Sequence, residues 1–168
     1  MAKKTAAAGA GTPATVALTA AGVQFTAHSY AHDPANTGYG MEAADVLGVS
    51  PERVFKTLMA DVAGTLTVAI VPVNKMLDLK ALALAQAVGH KKAVMADPAA
   101  AQRRTGYVLG GISPLGQRQQ SPTVVDESAL ACETIYVSGG RRGFDVELSP
   151  ADLISLTKAT TAKIGHPA

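Results

Sequence analysis

Apolar residues in this chain come in short runs broken by Gly, Pro and Asp, and the spacing within each run predicts its element. Phe144, Val146 and Leu148 interleave with Asp145 and Glu147, a period of two that predicts a strand with both carboxylates on one face. Val23 to Tyr30 alternates in part and predicts another strand. Val54–Ala60 and Thr65–Val73 are denser; the second is nearly all apolar, as expected of a central strand covered on both faces, and Ala63-Gly64 joins the two into a hairpin. Lys91–Met95, Pro122–Asp126 and Thr134–Ser138 complete the strands, with Gly139 to Gly143 as a hairpin turn. Helices are marked by their ends. Thr12-Pro13 opens one that Gly22 closes, and Met41–Leu47 stops at Gly48. Leu77–Val88 is capped by Gly89, Asp97-Pro98 starts a helix through Arg104, and Ser149-Pro150 caps the last, Ala151–Ala159.

One stretch resists this alphabet. Gly106-Tyr107-Val108-Leu109-Gly110-Gly111-Ile112-Ser113-Pro114-Leu115-Gly116 has too many glycines for a helix and is too apolar for a solvated linker. It predicts a buried strand that ends in a rigid loop with exposed backbone N–H groups, where a ligand can approach the main chain closely. Interleaved strands and helices together with hairpins give the fold class as α+β or mixed α/β. At 168 residues the chain is expected to be a single domain over residues 12–160, between a disordered N-terminal tail (1–11) and a frayed C-terminal tail (161–168).

Composition narrows the function by exclusion. Aromatic residues are 4% with no Trp, which argues against a stacking platform for single-stranded nucleic acid. The net charge of +2 does not demand a nucleic-acid partner. No apolar run reaches the roughly 18 residues of a membrane span, and Met1 to Gly11 lacks the apolar stretch of a secretory signal, so a cytosolic protein is expected. The single Cys132 excludes an intramolecular disulfide and a cysteine-based zinc site.

Several residues carry possible chemistry. Lys56 lies in an apolar strand, which is costly unless its ammonium reaches water or an anion. Two readings stay open: an edge-strand lysine that blunts aggregation, or a cation on a pocket wall facing a phosphate or a carbonyl oxygen. Gly110 to Gly116 is either a nest for an oxyanion or a structural turn. It is no Walker A loop, because Ile112-Ser113 replaces the Lys and hydroxyl residue, and Ser113 is not in a G-x-S-x-G elbow. His28 and His32 precede Asp33 but have no further ligand cluster, so turn packing is favoured over a metal. Tyr30 either points its hydroxyl into a cleft or simply packs; Asp145 either binds an ammonium group or is solvated. Cys132 has no adjacent base to make it a nucleophile. Arg103, Arg104, Arg118, Arg141 and Arg142 are solvated surface or, if they converge, a phosphate-binding rim.

The blocks Thr12-Pro13-Ala14, His28-Ser29-Tyr30, His32-Asp33-Pro34, Val54-Phe55-Lys56-Thr57-Leu58, Leu77 to Lys80, Met95 to Pro98, Thr105 to Gln117 and Val137 to Gly143 closely resemble the YbaK-type Cys-tRNA(Pro) deacylases of the prolyl-tRNA synthetase editing-domain superfamily. The likeness runs from about Thr12 to Leu156 and leaves out the Ala-rich N-terminus. It implies a compact, mixed and mostly antiparallel sheet flanked by helices. It implies hydrolysis of the ester between a wrongly attached cysteine and the tRNA for proline, assisted by the substrate's own thiol, which forms a cyclic thiolactone. By the same resemblance Lys56 takes the place of the essential lysine, Gly110, Gly111, Ile112, Ser113 and Pro114 form the G-x-x-x-P substrate loop, and Tyr30, Thr57 and Asp145 line the pocket. No metal or cofactor is implied. The implied partners are the 3′ end of mischarged tRNA(Pro) and prolyl-tRNA synthetase, with neither DNA nor a membrane.

Overall fold

The computed structural model describes residues 11–86 and 92–168. The Ala/Gly-rich tail, the Val88-Gly89 helix end and Lys91 lie outside the described residues. Five α-helices are described: α1 (Pro13–Ala20), α2 (Tyr39–Leu47), α3 (Leu79–Gln86), α4 (Pro98–Thr105) and α5 (Pro150–Thr157). The strands are β1 (Thr26–Ser29), β2 (Phe55–Val62), β3 (Thr65–Pro72), β4 (Lys75–Leu77), β5 (Ala93–Met95), β6 (Thr123–Asp126), β7 (Ile135–Arg141), β8 (Phe144–Leu148), β9 (Thr160–Ala162) and β10 (Gly165–Pro167).

The strands form three ladders, in the orders β5-β2-β3-β6-β9, β1-β8-β7 and β10-β4. Pairing is antiparallel except for β3 with β6 and β6 with β9, so the sheet is mixed and mostly antiparallel, as the resemblance implied. A parallel bridge between Val54 and Tyr136 ties the start of β2 to β7 and so links the two larger ladders.

The alternation in β3 shows why this strand is central. Val68 and Ile70 enter the main core, where the two larger ladders meet α1 and α5, while Ala69 and Val71 enter a second core beneath Leu82 and Ala83 of α3. The β2–β3 hairpin forms at Ala63-Gly64, both with positive φ (51° and 92°), a turn whose twist suits antiparallel strands. Helix ends follow their capping residues. Thr12 Oγ1 accepts from Thr15 N–H, Asp97 from Ala100 N–H and Ser149 from Asp152 N–H, and Gly48 and Gly106 close α2 and α4 in the left-handed conformation.

Three expectations are corrected. The strand expected within Gly106–Gly116 does not form. Gly106 (φ 82°) turns the chain out of α4, and Tyr107, Ile112 and Leu115 are then buried one at a time, not along a ladder. Val108 and Leu109 are exposed. The Gly139–Gly143 turn shrinks to Arg142-Gly143, because β7 continues through a register shift to Arg141, which pairs with Phe144. The C-terminal residues expected to fray instead form β9 and β10. Asp126 at the end of β6 reaches across, and its Oδ1 accepts from Ile164 and Gly165 N–H at 2.9 Å each. Burial raises the Asp126 pKa, but hydrogen bonds from Ser128, Gly165 and Ile164 outweigh it and hold the carboxyl below its ordinary range. Ile164 is fully buried in the core under α3.

The C-terminus is therefore part of the folding unit. Ile164→Ala is expected to destabilise the chain by about 2–5 kcal/mol in urea unfolding, whereas exposed Lys163→Ala should change stability by less than about 0.5 kcal/mol. Equal effects would contradict a docked terminus.

Candidate active site

The ladder ends place Lys56. Ser50 caps a short 3-10 turn at Pro51–Arg53, and Arg53 then fastens the entry to β2. Its Nε donates to the Thr134 carbonyl at 3.2 Å, and its Nη2 reaches Glu147 Oε2 at 3.3 Å. Glu147 also meets His28 Nε2 at 3.0 Å and accepts from the Thr134 hydroxyl. Beyond this anchor, β5 pairs only with Ala60–Val62. Residues 55–58 therefore carry a ladder partner on the β3 side and a free edge on the other, among the described residues. Lys56 is on this stretch, facing Val71 across the ladder.

A cavity of about 540 Å³ opens along that edge. Its polar walls come from Tyr30, Thr37, Tyr39, Lys56, Thr57, Ser138, Arg141 and Asp145, and from the backbone of Gly38, Gly40 and Gly110; Met41, Val54, Phe55, Met59, Val73, Met95, Leu109 and Ile112 make much of the rest. The lysine is thus a cation on a pocket wall, although on a half-open edge. Burial lowers its pKa, and the three ion pairs among the described residues all use other side chains. Its charge is available to a ligand.

Asp145 faces the same cavity from β8. The alternation along that strand holds, but the face it shares with Glu147 is not solvated. Asp145 is 7% exposed, and burial pushes its carboxyl up to about 7. Tyr30 follows β1, with its N–H on the Gly143 carbonyl at 2.9 Å. Burial first, then the nearby Asp145 and Glu42 charges, raise its phenol far above the ordinary value. Thr57 Oγ1 is buried without a hydrogen-bond partner, an acceptor and donor left open at the cavity wall.

Of the expected substrate loop, Gly110 and Ile112 reach the cavity, whereas Gly111, Ser113 and Pro114 do not. The Gly111 N–H is spent on the Val108 carbonyl at 2.9 Å, and a Cβ there would come within 2.8 Å of Arg141 Cα. Ser113 is fully buried; its Oγ accepts from Leu115 N–H at 3.2 Å and its carbonyl from Gln117 Nε2 at 2.9 Å. Pro114 is buried beside it. These residues shape the loop from behind. The arginines divide: Arg104 binds Ser121, Gln119 and Gln120, and Arg118 lies over Gly106, while Arg141 lines the cavity and Arg142 backs its loop. They do not converge on one rim.

His28 and His32 part company, to Glu147 and to Glu42 (Nδ1 to Oε1, 2.7 Å). No group of three or more His, Cys, Asp or Glu that could hold a metal occurs among the described residues. Cys132 caps a 3-10 turn away from the cavity. Sequence reasoning missed Tyr39, Gly40 and Ser138. One signal for the first two was on the chain, an aromatic residue flanked by Gly38 and Gly40: a Cβ at Gly40 would meet Val73 Cγ1 at 2.3 Å, so the helix start can press against the turn that follows β3 only with glycine. Ser138 had only the Gly-Gly pair behind it as a marker.

A cation, a buried carboxyl and a close-approach backbone around a half-open cavity suit a small ligand that carries both a positive and a negative group. Similarity to known proteins narrows the class. The family model described as aminoacyl-tRNA editing domain matches residues 35–156. A protein of Enterococcus faecalis provisionally named Cys-tRNA(Pro)/Cys-tRNA(Cys) deacylase EbsC is 42% identical over 124 residues, 72% of this chain and 73% of its own. The crystal structure of the hypothetical protein APE2540 superposes with a TM-score of 0.79 at 28% identity, covering 92% of this chain and 99% of that one. Another, provisionally assigned as a trans-editing enzyme for prolyl-tRNA synthetase, gives 0.80 at 24% identity over 92% and 95%, and shows the shared fold. The chain belongs to the aminoacyl-tRNA editing domain family, and its activity is that of an aminoacyl-tRNA editing hydrolase.

Proposed function

We propose that this chain deacylates Cys-tRNA(Pro) in trans, with the substrate's own thiol as nucleophile. The observation that carries the reading is the content of the cavity: an ammonium without a carboxylate partner, a buried carboxyl and the Gly110 backbone, with neither thiol nor imidazole among its lining residues. Tyrosine, threonine and serine hydroxyls are present, but no histidine lines the cavity beside them. A cysteinyl ester brings what the walls lack. Its sulfur attacks its own carbonyl carbon, forming the C–S bond and an oxyanion. Collapse breaks the bond to the ribose oxygen, which takes the thiol proton, and the released thiolactone is opened by water to free cysteine.

In this scheme Asp145 holds the α-ammonium, and Gly110 N–H receives the developing oxyanion. Lys56 neutralises either that oxyanion or the terminal phosphate. Thr57 and Tyr30 complete the wall around the aminoacyl group. The need for such an enzyme follows from size: a synthetase pocket made for proline rejects cysteine weakly, so a second hydrolytic site is useful. The name of the Enterococcus faecalis relative supports cysteine as the target. The family resemblance implies that selection of tRNA(Pro) falls to a partner, prolyl-tRNA synthetase, in the cytoplasm, and the net charge of only +2 is consistent with that.

The test is a panel of tRNA(Pro) charged with labelled Cys, Ala or Ser, and of Cys-tRNA(Cys), incubated with wild type and Lys56→Ala. Wild type should release cysteine from Cys-tRNA(Pro) fastest, and Lys56→Ala should slow this by about 100-fold or more. A wild-type protein that leaves the cysteinyl ester intact would refute the proposal.

Asp145 makes a second prediction. Its folded pKa, about 7, lies above the unfolded carboxyl value. The folded state therefore binds the extra proton, and stability falls as pH rises from about 4 to 7. Asp145→Asn should remove that slope and be more stable than wild type by a few kcal/mol at pH 8, with near equality at pH 4. Parallel stability profiles for the two proteins would contradict the assignment.

A further inference from the structure

Arg142 occupies the β7–β8 turn outside the cavity wall, yet its guanidinium is engaged on two sides. Nε and Nη2 both donate to the Leu109 carbonyl oxygen, at 2.9 and 2.6 Å. Its Cζ lies over the Tyr39 ring, 4.8 Å from the centroid. Tyr39 is backed in turn by His32, ring centroids 5.6 Å apart, and His32 is held by the buried carboxylate of Glu42. Leu109 is also held through the preceding peptide, where its N–H donates to Gln102 Oε1 at 3.0 Å.

Gly110 comes next, with φ at 82°. It is pressed so closely into this clamp that a Cβ would meet Tyr39 Cε2 at 2.7 Å and Arg142 Nε at 2.8 Å. The described residues contain no cis peptide, and in a trans peptide the carbonyl of residue 109 and the N–H of residue 110 lie in one plane and point in opposite directions within it. Chelating the carbonyl fixes the N–H direction. No group among the described residues accepts that N–H, and Gly110 lines the cavity. A full positive charge on the carbonyl end also polarises the peptide, which makes its N–H a stronger donor.

The geometry points to Arg142 as a positioning residue: by chelating the Leu109 carbonyl on the Tyr39 platform, it turns and polarises the Gly110 N–H for the carbonyl oxygen of the substrate ester. This role rests on the cavity being the ester site proposed above. Neither lysine nor alanine can replace Arg142 fully, because a single ammonium makes neither the two-bond fork nor the flat stack.

The test combines kinetics with an amide signal that needs no substrate. Arg142→Ala is expected to lower kcat on Cys-tRNA(Pro) by about 10- to 100-fold with KM changed less than about twofold, and to move the Gly110 cross-peak in the ¹H–¹⁵N spectrum. Millimolar guanidinium should restore part of the rate to Arg142→Ala and none to Lys56→Ala. Arg142→Lys, which serves if the alanine variant does not fold, should fall between wild type and alanine in rate and also move the peak. A variant that keeps wild-type kcat, or one that loses it while the Gly110 cross-peak stays in place, overturns the assignment. If wild type does not hydrolyse Cys-tRNA(Pro), the substrate proposal fails, and the Gly110 cross-peak still decides the positioning role: an unmoved peak refutes it.

Discussion

An ammonium group held partly out of water, with no carboxylate paired to it among the described residues, is the constraint on which this molecule is arranged. Lys56 costs stability where it stands, since burial favours its neutral form. Around it the chain spends its most specific interactions. Arg53 and Glu147 fix the entrance to β2, β3 supplies the ladder on one side, and β5 stops short so that the other side remains open. The buried carboxyl of Asp145, elsewhere on the cavity wall, is also unfavourable as a charge. Two such groups in one cavity are tolerable when a ligand of opposite polarity at each point completes them, and an aminoacyl ester, cationic at its amine and anionic as its carbonyl reacts, has that polarity.

The loop beside the cavity works by rigidity. Its apolar residues are anchors: Tyr107 sends its hydroxyl to the Leu115 carbonyl at 2.6 Å, and Ile112 and Leu115 sink into the main core. Gly116 packs so closely on the start of α1 that a Cβ would lie 2.4 Å from the Pro13 carbonyl oxygen. Between Tyr107 and Ile112 only Leu109 and Gly110 lie at the cavity, and Arg142 controls the peptide that joins them. A catalytic donor held before the substrate arrives needs no reorganisation during the reaction, which is the main advantage of backbone N–H groups in such sites.

Much of this was legible in the residues because it is local. The density of Thr65–Val73 marked a strand covered on both faces, Gly106 and Asp97 marked helix ends, and a lysine among Val54, Phe55 and Leu58 marked a costly charge. What was not legible depended on partners far along the chain. The C-terminal strands are three residues each and gain their place from Asp126 and from burial of Ile164. The glycine-rich stretch looked like a strand because its apolar residues are buried, yet burial there is by separate anchors. Tyr39 and Arg142 are more than a hundred residues apart, and nothing in either neighbourhood announces their stack.

The central claim is that the walls orient and stabilise while the substrate supplies the nucleophile. Blocking that sulfur tests it most directly: tRNA(Pro) carrying cysteine is compared with tRNA(Pro) carrying S-methylcysteine under single-turnover conditions. The account predicts rapid loss of cysteine and an S-methylcysteinyl ester that decays no faster than without protein. Equal hydrolysis of the two would show that the protein or water provides the attacking group, and the account would fall.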